Sequence, residues 1–396
     1  MAPHHSMRIV LPVLCLTVAV TAAHGLRIDF RADLNHPYTG SSLSTDDVII
    51  HAARASKARA ARINARLARV LGNLSAADVP VAPLSDQGHS LTVGIGTPPQ
   101  PRTLIVDTGS DLIWTQCRLS RSRRTTASRQ GEPLYEPRKS SSFAFLPCSD
   151  RLCQEGRFFD KNCTRNMCMY DELYGSAEAD GVLASETFTF GVDSKISLPL
   201  GFGCGALSAG SPVDASGLMG LSPGIMSLVS QLSVPRFSYC LTPFAERKTS
   251  PLLFGAMADL RKYKTTGTVQ TTSILRNPGM ETAYYYVPLV ELSLGTKRLD
   301  VPATSLGIKP DGSGGTIVDS GSTMAYLVET AFRAVKKAVL ETVRLPVVNR
   351  TEEDYDYELC FALPSGVAMG AVKTPPLVLH FDGGAAMVLP RDNYFQ

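Results

Sequence analysis

The stretch Ile105-Val106-Asp107-Thr108-Gly109-Ser110 returns 212 positions later as Ile317-Val318-Asp319-Ser320-Gly321-Ser322. Each copy is an apolar run closed by Asp, a small hydroxyl residue, Gly and Ser. The run before each Asp (Leu104 to Val106, Thr316 to Val318) reads as a buried strand. Gly after Thr or Ser lets the backbone turn tightly and come close to its partner. The hydroxyls of Thr108, Ser110, Ser320 and Ser322 can donate hydrogen bonds that hold the carboxylates in place. One Asp-Thr-Gly is ordinary turn chemistry. Two copies with matched flanks predict two related halves, each placing one carboxylate at a strand-to-turn corner. Two carboxylates that meet there can share a proton and act as acid and base on one water.

The 396 residues suffice for two domains of ordinary size. Charged residues make up 19% and apolar residues 44%, the balance of a globular chain rather than a disordered one. With 32 Gly and 26 Pro between short runs of Val, Leu, Thr, Phe and Tyr, a mostly β protein of short strands is predicted. Glu329 to Leu345 is the clearest amphipathic helix. At the start of the chain, Arg8, the apolar run Ile9 to Val20 and small residues 21–23 read as a secretory signal over residues 1–24. This apolar run of 12 residues falls short of the roughly 20 that cross a bilayer, and no other stretch could span one, so a soluble protein is expected.

Residues 25–85 differ in character from the rest of the chain. His51 to Val70 carries Arg54, Lys57, Arg59, Arg62, Arg66 and Arg69 and no acid. Residues 1–85 hold 9 Lys or Arg and 5 Asp or Glu, against 30 and 31 in the remainder. The +3 of the whole chain therefore belongs to the N-terminal segment, and is no sign of an acidic partner. A basic segment of this kind is either a solvated helix or linker, or a cover that sits on an acidic cleft at neutral pH and leaves when carboxylates are protonated. It holds no aromatic residue, which argues against a nucleic-acid site.

Of nine Cys, Cys15 lies in the signal. The others, in a secreted chain, predict disulfides. No C-x-x-C pair or clustered His supports a metal site, and no cofactor is expected. Cys148, Cys153, Cys163 and Cys168 form a compact group whose connectivity sequence leaves open. Of three N-x-S/T sites (Asn73, Asn162, Asn349), Asn349 is the best glycosylation candidate outside the N-terminal segment.

The segment Asp107 to Cys117, D-T-G-S-D-L-I-W-T-Q-C, and Asp319 to Leu327, D-S-G-S-T-M-A-Y-L, resemble the two active-site motifs of plant pepsin-type aspartic proteases, specifically the nepenthesin-like group. I-G-T-P-P-Q at 95–100, F-G-C-G at 202–205, F-S-Y-C at 237–240 and H-F-D-G-G at 380–384 agree, and the resemblance runs from about residue 88 to the end. It implies a bilobal pepsin-like fold: a propeptide over 25–85, an N-terminal lobe over 86–245 and a C-terminal lobe over 246–396. It implies Asp107 and Asp319 as a catalytic dyad working at acidic pH without metal or covalent intermediate. Thr108, Gly109, Ser110, Ser320, Gly321 and Ser322 would support the two loops. Tyr174 and Gly175 would sit on a substrate-covering flap, with Trp114 supporting it; Y-G-S-A-E here replaces the usual Y-G-D-G-S.

The same resemblance implies nested disulfides, Cys148–Cys168 outside Cys153–Cys163. Two Cys that relatives carry after the first motif are absent, which leaves Cys117 and Cys204 to pair with each other; the family partners of Cys240 and Cys360 lie beyond residue 396. Ala215 to Gly220 matches an element that packs beneath the first catalytic loop, and the equivalent element for Asp319 also belongs to a segment beyond the last residue. The expected substrates are peptides or proteins, the expected state a monomer, and the expected location extracellular or vacuolar. The competing reading is a catalytically inactive, inhibitor-like protein on the same fold. An aspartyl-phosphate enzyme would explain one Asp-Thr-Gly but not the second copy.

Overall fold

Short apolar runs of period two become strands, and the longest of them wrap into a closed sheet. The computed structural model describes residues 14–19, 28–36, 88–119, 133–174, 177–191, 196–208, 215–242, 248–265, 267–278, 284–322, 324–348, 359–367 and 369–394, with scattered positions between 42 and 63. Two strands lie in the N-terminal segment, β1 (Leu14–Ala19) and β2 (Phe30–Leu34). The first lobe comes next with β3 (Ser90–Ile95), β4 (Gln100–Asp107), β5 (Trp114–Gln116), β6 (Ala144–Phe145), β7 (Asp160–Thr164), β8 (Met167–Tyr174), β9 (Ala177–Phe190), β10 (Ile196–Ser208) and β11 (Gly217–Gly220). Their order is β10-β5-β11-β4-β3-β9-β8-β7, and β10 also pairs with β9, so the sheet closes on itself. Closure removes most of the exposed edge that would otherwise template aggregation.

The interior follows from the alternation. Leu91, Val93 and Ile95 of β3 point inward with Leu104 and Val106 of β4, and meet Phe188 and Phe202. The last four residues of β4, Leu104 to Asp107, are all buried, as the apolar run before Asp107 predicted. That strand lies between β3, its antiparallel neighbour, and β11, which runs parallel to it with Gly220 beside Asp107.

The cysteines correct one expectation and meet another. Cys117 of the first lobe is joined to Cys204 on β10. In place of the nested pairs Cys148–Cys168 and Cys153–Cys163, the structure joins Cys148 to Cys163 and Cys153 to Cys168. Burial explains the exchange. The short helix α1 (Arg151–Glu155), capped by the Asp150 carboxylate on the Leu152 N–H, carries Cys153 into the same buried cluster as Cys168. Cys163, by contrast, stands on the fully exposed strand β7, where the half-buried Cys148 reaches it. Cys240 is also in a disulfide, whereas Cys360 is a free, half-buried thiol.

A central sheet forms the base, with β12 (Arg236–Leu241) and β13 (Ser250–Phe254) flanked by the two N-terminal strands in the order β1-β12-β13-β2. The β1–β12 register sets Cys15 opposite Cys240. The lobe boundary expected at 245/246 thus falls between two strands of one sheet. Phe30 of β2 stacks on Phe254 at 4.4 Å, and Leu34 is buried, so the N-terminal segment is part of the packed base. Between β11 and β12, α2 (Leu228–Leu232) is capped by the Ser227 hydroxyl, which accepts from the Ser230 N–H.

The second half is smaller: β14 (Tyr285–Val287), β15 (Leu289–Leu294), β16 (Lys297–Arg298), β17 (Thr316–Val318), β18 (Val347–Val348), β19 (Cys360–Phe361), β20 (Leu377–Phe381) and β21 (Ala386–Leu389). The order β16-β15-β20-β21 makes one sheet, on which α3 (Glu329–Thr342) packs Ala331, Ala338 and Val339. The helix ends three residues before the predicted Leu345, with Val343 already in extended conformation. Among the described residues β17, which leads to Asp319, pairs only with β14, whereas β4 has a neighbour on each side. The architecture is mostly β and bilobal. No helix among the described residues is long and apolar enough to cross a membrane.

The disulfide pattern is directly testable. Non-reducing peptide mapping is expected to recover Cys148 with Cys163 and Cys153 with Cys168; recovery of Cys148 with Cys168 would restore the nested arrangement.

Candidate active site

The two Asp-hydroxyl-Gly corners meet face to face and bond to each other rather than only to their own carboxylates. The Thr108 N–H donates to Ser320 Oγ at 3.1 Å, and the Ser320 N–H donates to Thr108 Oγ1 at 2.9 Å. Each hydroxyl then donates onward to the strand of the opposite half: Thr108 to the Val318 carbonyl at 3.2 Å, Ser320 to the Val106 carbonyl at 3.1 Å. This near two-fold set joins β4 to β17 and places Asp107 and Asp319 side by side. Contrary to the sequence expectation, Thr108 and Ser320 do not hold the carboxylates; they hold the two loops together.

The carboxylates are held by other groups. The Gly109 N–H donates to Asp107 Oδ1 at 2.8 Å, and the Gly321 N–H donates to Asp319 Oδ1 at 3.0 Å. The Ser322 hydroxyl donates to Asp319 Oδ2 at 2.7 Å. Its counterpart Ser110 is buried near Asp107 and favours its ionised form, without reaching the geometry of a full hydrogen bond. Glycine is required at 109 and 321 by close approach. A Cβ on Gly109 would lie 2.5 Å from Asp319 Oδ1, and one on Gly321 would lie 2.5 Å from Asp107 Oδ1.

A cation from the N-terminal segment sits between the two acids. Arg59 Nε and Nη2 make a fork on Asp319 at 2.5 and 2.8 Å, and Nη2 also reaches Asp107 Oδ1 at 2.5 Å. All three side chains are nearly inaccessible, with Asp107 at 0% and Asp319 at 5% exposed. Charge-assisted, bidentate contact in a low-dielectric site is strong, and a buried charge without it is costly. Burial opposes the Arg59 charge, but the Asp107 and Asp319 charges outweigh it and hold the guanidinium firmly protonated. Burial, aided by the Asp319 charge, pushes Asp107 above the usual carboxylate range. Burial pushes Asp319 the same way, but Arg59 and the Ser322 hydroxyl outweigh it and hold Asp319 below that range. The environments thus push the two acids in opposite directions, Asp107 towards its neutral form and Asp319 towards its ionised form.

Arg59 arrives on a helical stretch between residues 47 and 63. Ala52, Ser56 and Arg59 are buried on one face, while Arg54 and Lys57 are exposed. The Ser56 hydroxyl accepts from the Met324 N–H at 3.0 Å, and the Tyr326 hydroxyl donates to the Ala53 carbonyl at 3.0 Å. Small residues at 52 and 56 let the helix approach the second loop closely. In the sequence alone, Arg59 is one of several basic residues in an acid-free run. The distinguishing signal was its place on a stripe of small residues at i, i+4 and i+7, where every other residue is Ala or Ser.

Trp114 opens β5 and is buried with Tyr170 and Ala179, at the base of the β8–β9 hairpin where a flap support was expected. Tyr174 is the last residue of β8, opposite Ala177. Gly175 and Asn349 lie outside the described residues. No group of His, Cys, Asp and Glu among the described residues could hold a metal ion.

The chain is similar to known proteins over most of its length. The family profile described as xylanase inhibitor N-terminal matches residues 89–256, and the one described as xylanase inhibitor C-terminal matches residues 284–396. Aspartic proteinase nepenthesin-1 of Nepenthes gracilis is 36% identical over 370 residues, covering 92% of this chain and 79% of the relative. The chain belongs to the nepenthesin-like plant aspartic proteases. Another relative is aspartyl protease 37 of Oryza sativa subsp. japonica, 33% identical over 78% of this chain and 69% of its own. Among solved structures, edgp aligns with a TM-score of 0.58 at 17% identity, covering 76% of this chain and 79% of its own. Basic 7S globulin from soybean aligns at 0.57 and 16%, covering 76% and 78%. These two likenesses establish the pepsin-like fold.

A histidine pair marks the seam between the N-terminal segment and the first lobe of this nepenthesin-like chain. Beyond β2, Asn35 and Ser90 exchange backbone hydrogen bonds at 2.6 and 3.1 Å, and the rings of His36 and His89 meet edge to face at 5.5 Å. Burial, together with the nearby His36, pushes His89 down to about 4. A base whose folded value is depressed stabilises the docked state above its ordinary value of 6.5 and loses that contribution as pH falls towards 4. The melting temperature of the full chain is expected to fall between those two pH values, and to fall less steeply in His89→Phe; equal slopes would remove His89 from the linkage.

Proposed function

We propose that the chain is the latent form of an aspartic endopeptidase, in which Asp107 and Asp319 are the catalytic dyad and Arg59 holds them silent. One observation carries this reading: two buried carboxylates, each fixed by the N–H of its own glycine, bridged by a single guanidinium. With Arg59 withdrawn, the space between the carboxylates suits a water. The ionised acid would take a proton from that water as it attacks a peptide carbonyl, and the protonated acid would polarise the carbonyl oxygen. The pair then titrates as a unit, with apparent values that belong to neither residue. An acidic working range follows, because one proton must stay on the pair.

Tyr174 and Gly175 are proposed to cover the bound peptide from the β8–β9 hairpin, with Trp114 packing its base. The extended cleft would bind peptide by strand-like pairing. We further propose residues 1–24 as a secretory leader and 25–85 as a removable segment, with an extracellular or vacuolar destination. Loss of residues 1–24 would take β1 from the edge of the central sheet and leave β12 there. A second reading, a binding protein without catalysis, is favoured by the descriptions of the two matching family profiles. Both Asp, both Gly and the reciprocal loop hydrogen bonds being present favours the enzyme.

The test is cleavage of a denatured protein by the full chain at about pH 4, where buried carboxylates begin to protonate. Cleavage blocked by the transition-state analogue pepstatin and abolished in Asp107→Asn is the expected outcome; a folded chain that cleaves nothing at any acidic pH would favour the binding protein. Arg59→Ala leaves two carboxylates unpaired beneath the helix, which costs on the order of 3–5 kcal/mol for a broken buried pair. That variant is expected to begin cleaving at higher pH than the parent. An unshifted onset in a pH-activity titration would show that Arg59 does not silence the dyad.

A further inference from the structure

Tyr285 stands on β14, directly opposite Val318 and therefore one residue before Asp319 across the β14–β17 pair. Its neighbours Tyr284 and Tyr286 pack together in the second half, against Ile63, Leu275, Ile308 and Ile317. The period-two alternation of a strand sends Tyr285 the other way. Its ring, 2% exposed, enters the core of the first half, where it lies 6.0 Å from Phe237 of the central sheet. A side chain whose backbone belongs to one half is thus embedded in the other.

The hydroxyl of that side chain is committed. It donates to the Leu221 carbonyl at 2.7 Å in a buried site. Leu221 directly follows β11, and its own N–H donates to the Asp107 carbonyl at 2.8 Å. An unbroken bonded path therefore runs from Asp319, through β17 and β14, to the Tyr285 hydroxyl, then through the Leu221 peptide to Asp107. This path is separate from the Thr108–Ser320 bonds and enters from beneath the first loop rather than across the dyad. Among the described residues β17 has no second strand beside it, so β14 is the only strand that steadies the approach to Asp319.

We infer that Tyr285 is a positioning residue for peptide hydrolysis, setting the spacing of the Asp107 loop against the Asp319 strand through its hydrogen bond to Leu221. The inference rests on the peptidase reading above. Burial keeps the phenol neutral, raising it above its ordinary value, so the donor persists across any working pH. Reacting groups held in near-attack geometry lose rate steeply with small displacement.

Tyr285→Phe keeps the ring and removes only the donor. Full chains of both forms, brought to about pH 4 as buried carboxylates protonate, would be assayed for kcat and KM on one peptide and for the pH profile of kcat. We expect kcat to fall about tenfold with KM nearly unchanged, as misplaced catalytic groups dictate, and an acidic limb displaced from that of the parent. A residue that served only packing would lower the melting temperature and leave kcat per active site and the pH profile where they were, which overturns the inference. An active parent with an unaltered Tyr285→Phe variant overturns this inference alone. A parent that cleaves nothing overturns the peptidase reading and this inference together.

Discussion

Like charges do not share a dry site unless something compensates them, and this constraint shapes the molecule around Asp107 and Asp319. Desolvation drives both carboxyls towards the neutral form, and each raises the cost of ionising the other. The structure meets the cost in two layers. Fixed backbone donors from Gly109 and Gly321 hold one oxygen of each acid. A single guanidinium then spans both. The fixed donors belong to the loops themselves, whereas the cation belongs to a segment of opposite character. On the reading proposed above, that division would leave the site quiet with the cation in place and reactive without it.

The position of the two acids is itself the product of reciprocity. Thr108 and Ser320 each donate a backbone N–H to the other's hydroxyl and then direct the hydroxyl proton to the opposite strand. Four hydrogen bonds link the two lobes at a point where, among the described residues, no sheet continues between them. The barrel of the first lobe supports its side of this junction on both flanks, with β3 and β11 beside β4. The second lobe supports its side through β14 alone among the described strands, and the burial of Tyr285 in the first lobe's core draws that strand into the junction.

The N-terminal segment reads as part of this same balance. Phe30 and Leu34 are packed into the base, Asn35 is bonded to Ser90, and the helical stretch beyond them lies against the second loop through Ser56 and Ala53. Apolar packing does not vary with pH, whereas the groups at its two ends do. His89 at the seam and the Arg59–carboxylate cluster between the two loops each lose favour in acid, the first because a buried imidazole must charge and the second because Asp319 must give up its negative charge. Acid therefore acts on both ends of a segment whose middle is indifferent to it.

Much of this is legible in the chain itself. The repeated Asp-hydroxyl-Gly corners announced two halves and two carboxylates, because strand period and the need for glycine at a close approach are local properties. The basic, acid-free run at 51–70 announced a segment suited to an acidic cleft. Local rules could not say which of several basic residues enters the cleft, since that depends on which helix face meets the second loop; only packing singles out Arg59. They could not pair four cysteines, because the spacing admits every connectivity and burial alone sends Cys153 to Cys168. Nor could they see that Thr108 and Ser320 bond across the lobes, or that Tyr285 reaches Leu221, since each partner lies 64 or more residues away. Sequence by itself determined the chemistry that could be assembled and the strands that carry it. The tertiary structure decided which groups meet, because hydrogen bonds, desolvation and charge pairing act on distance in space and not along the chain.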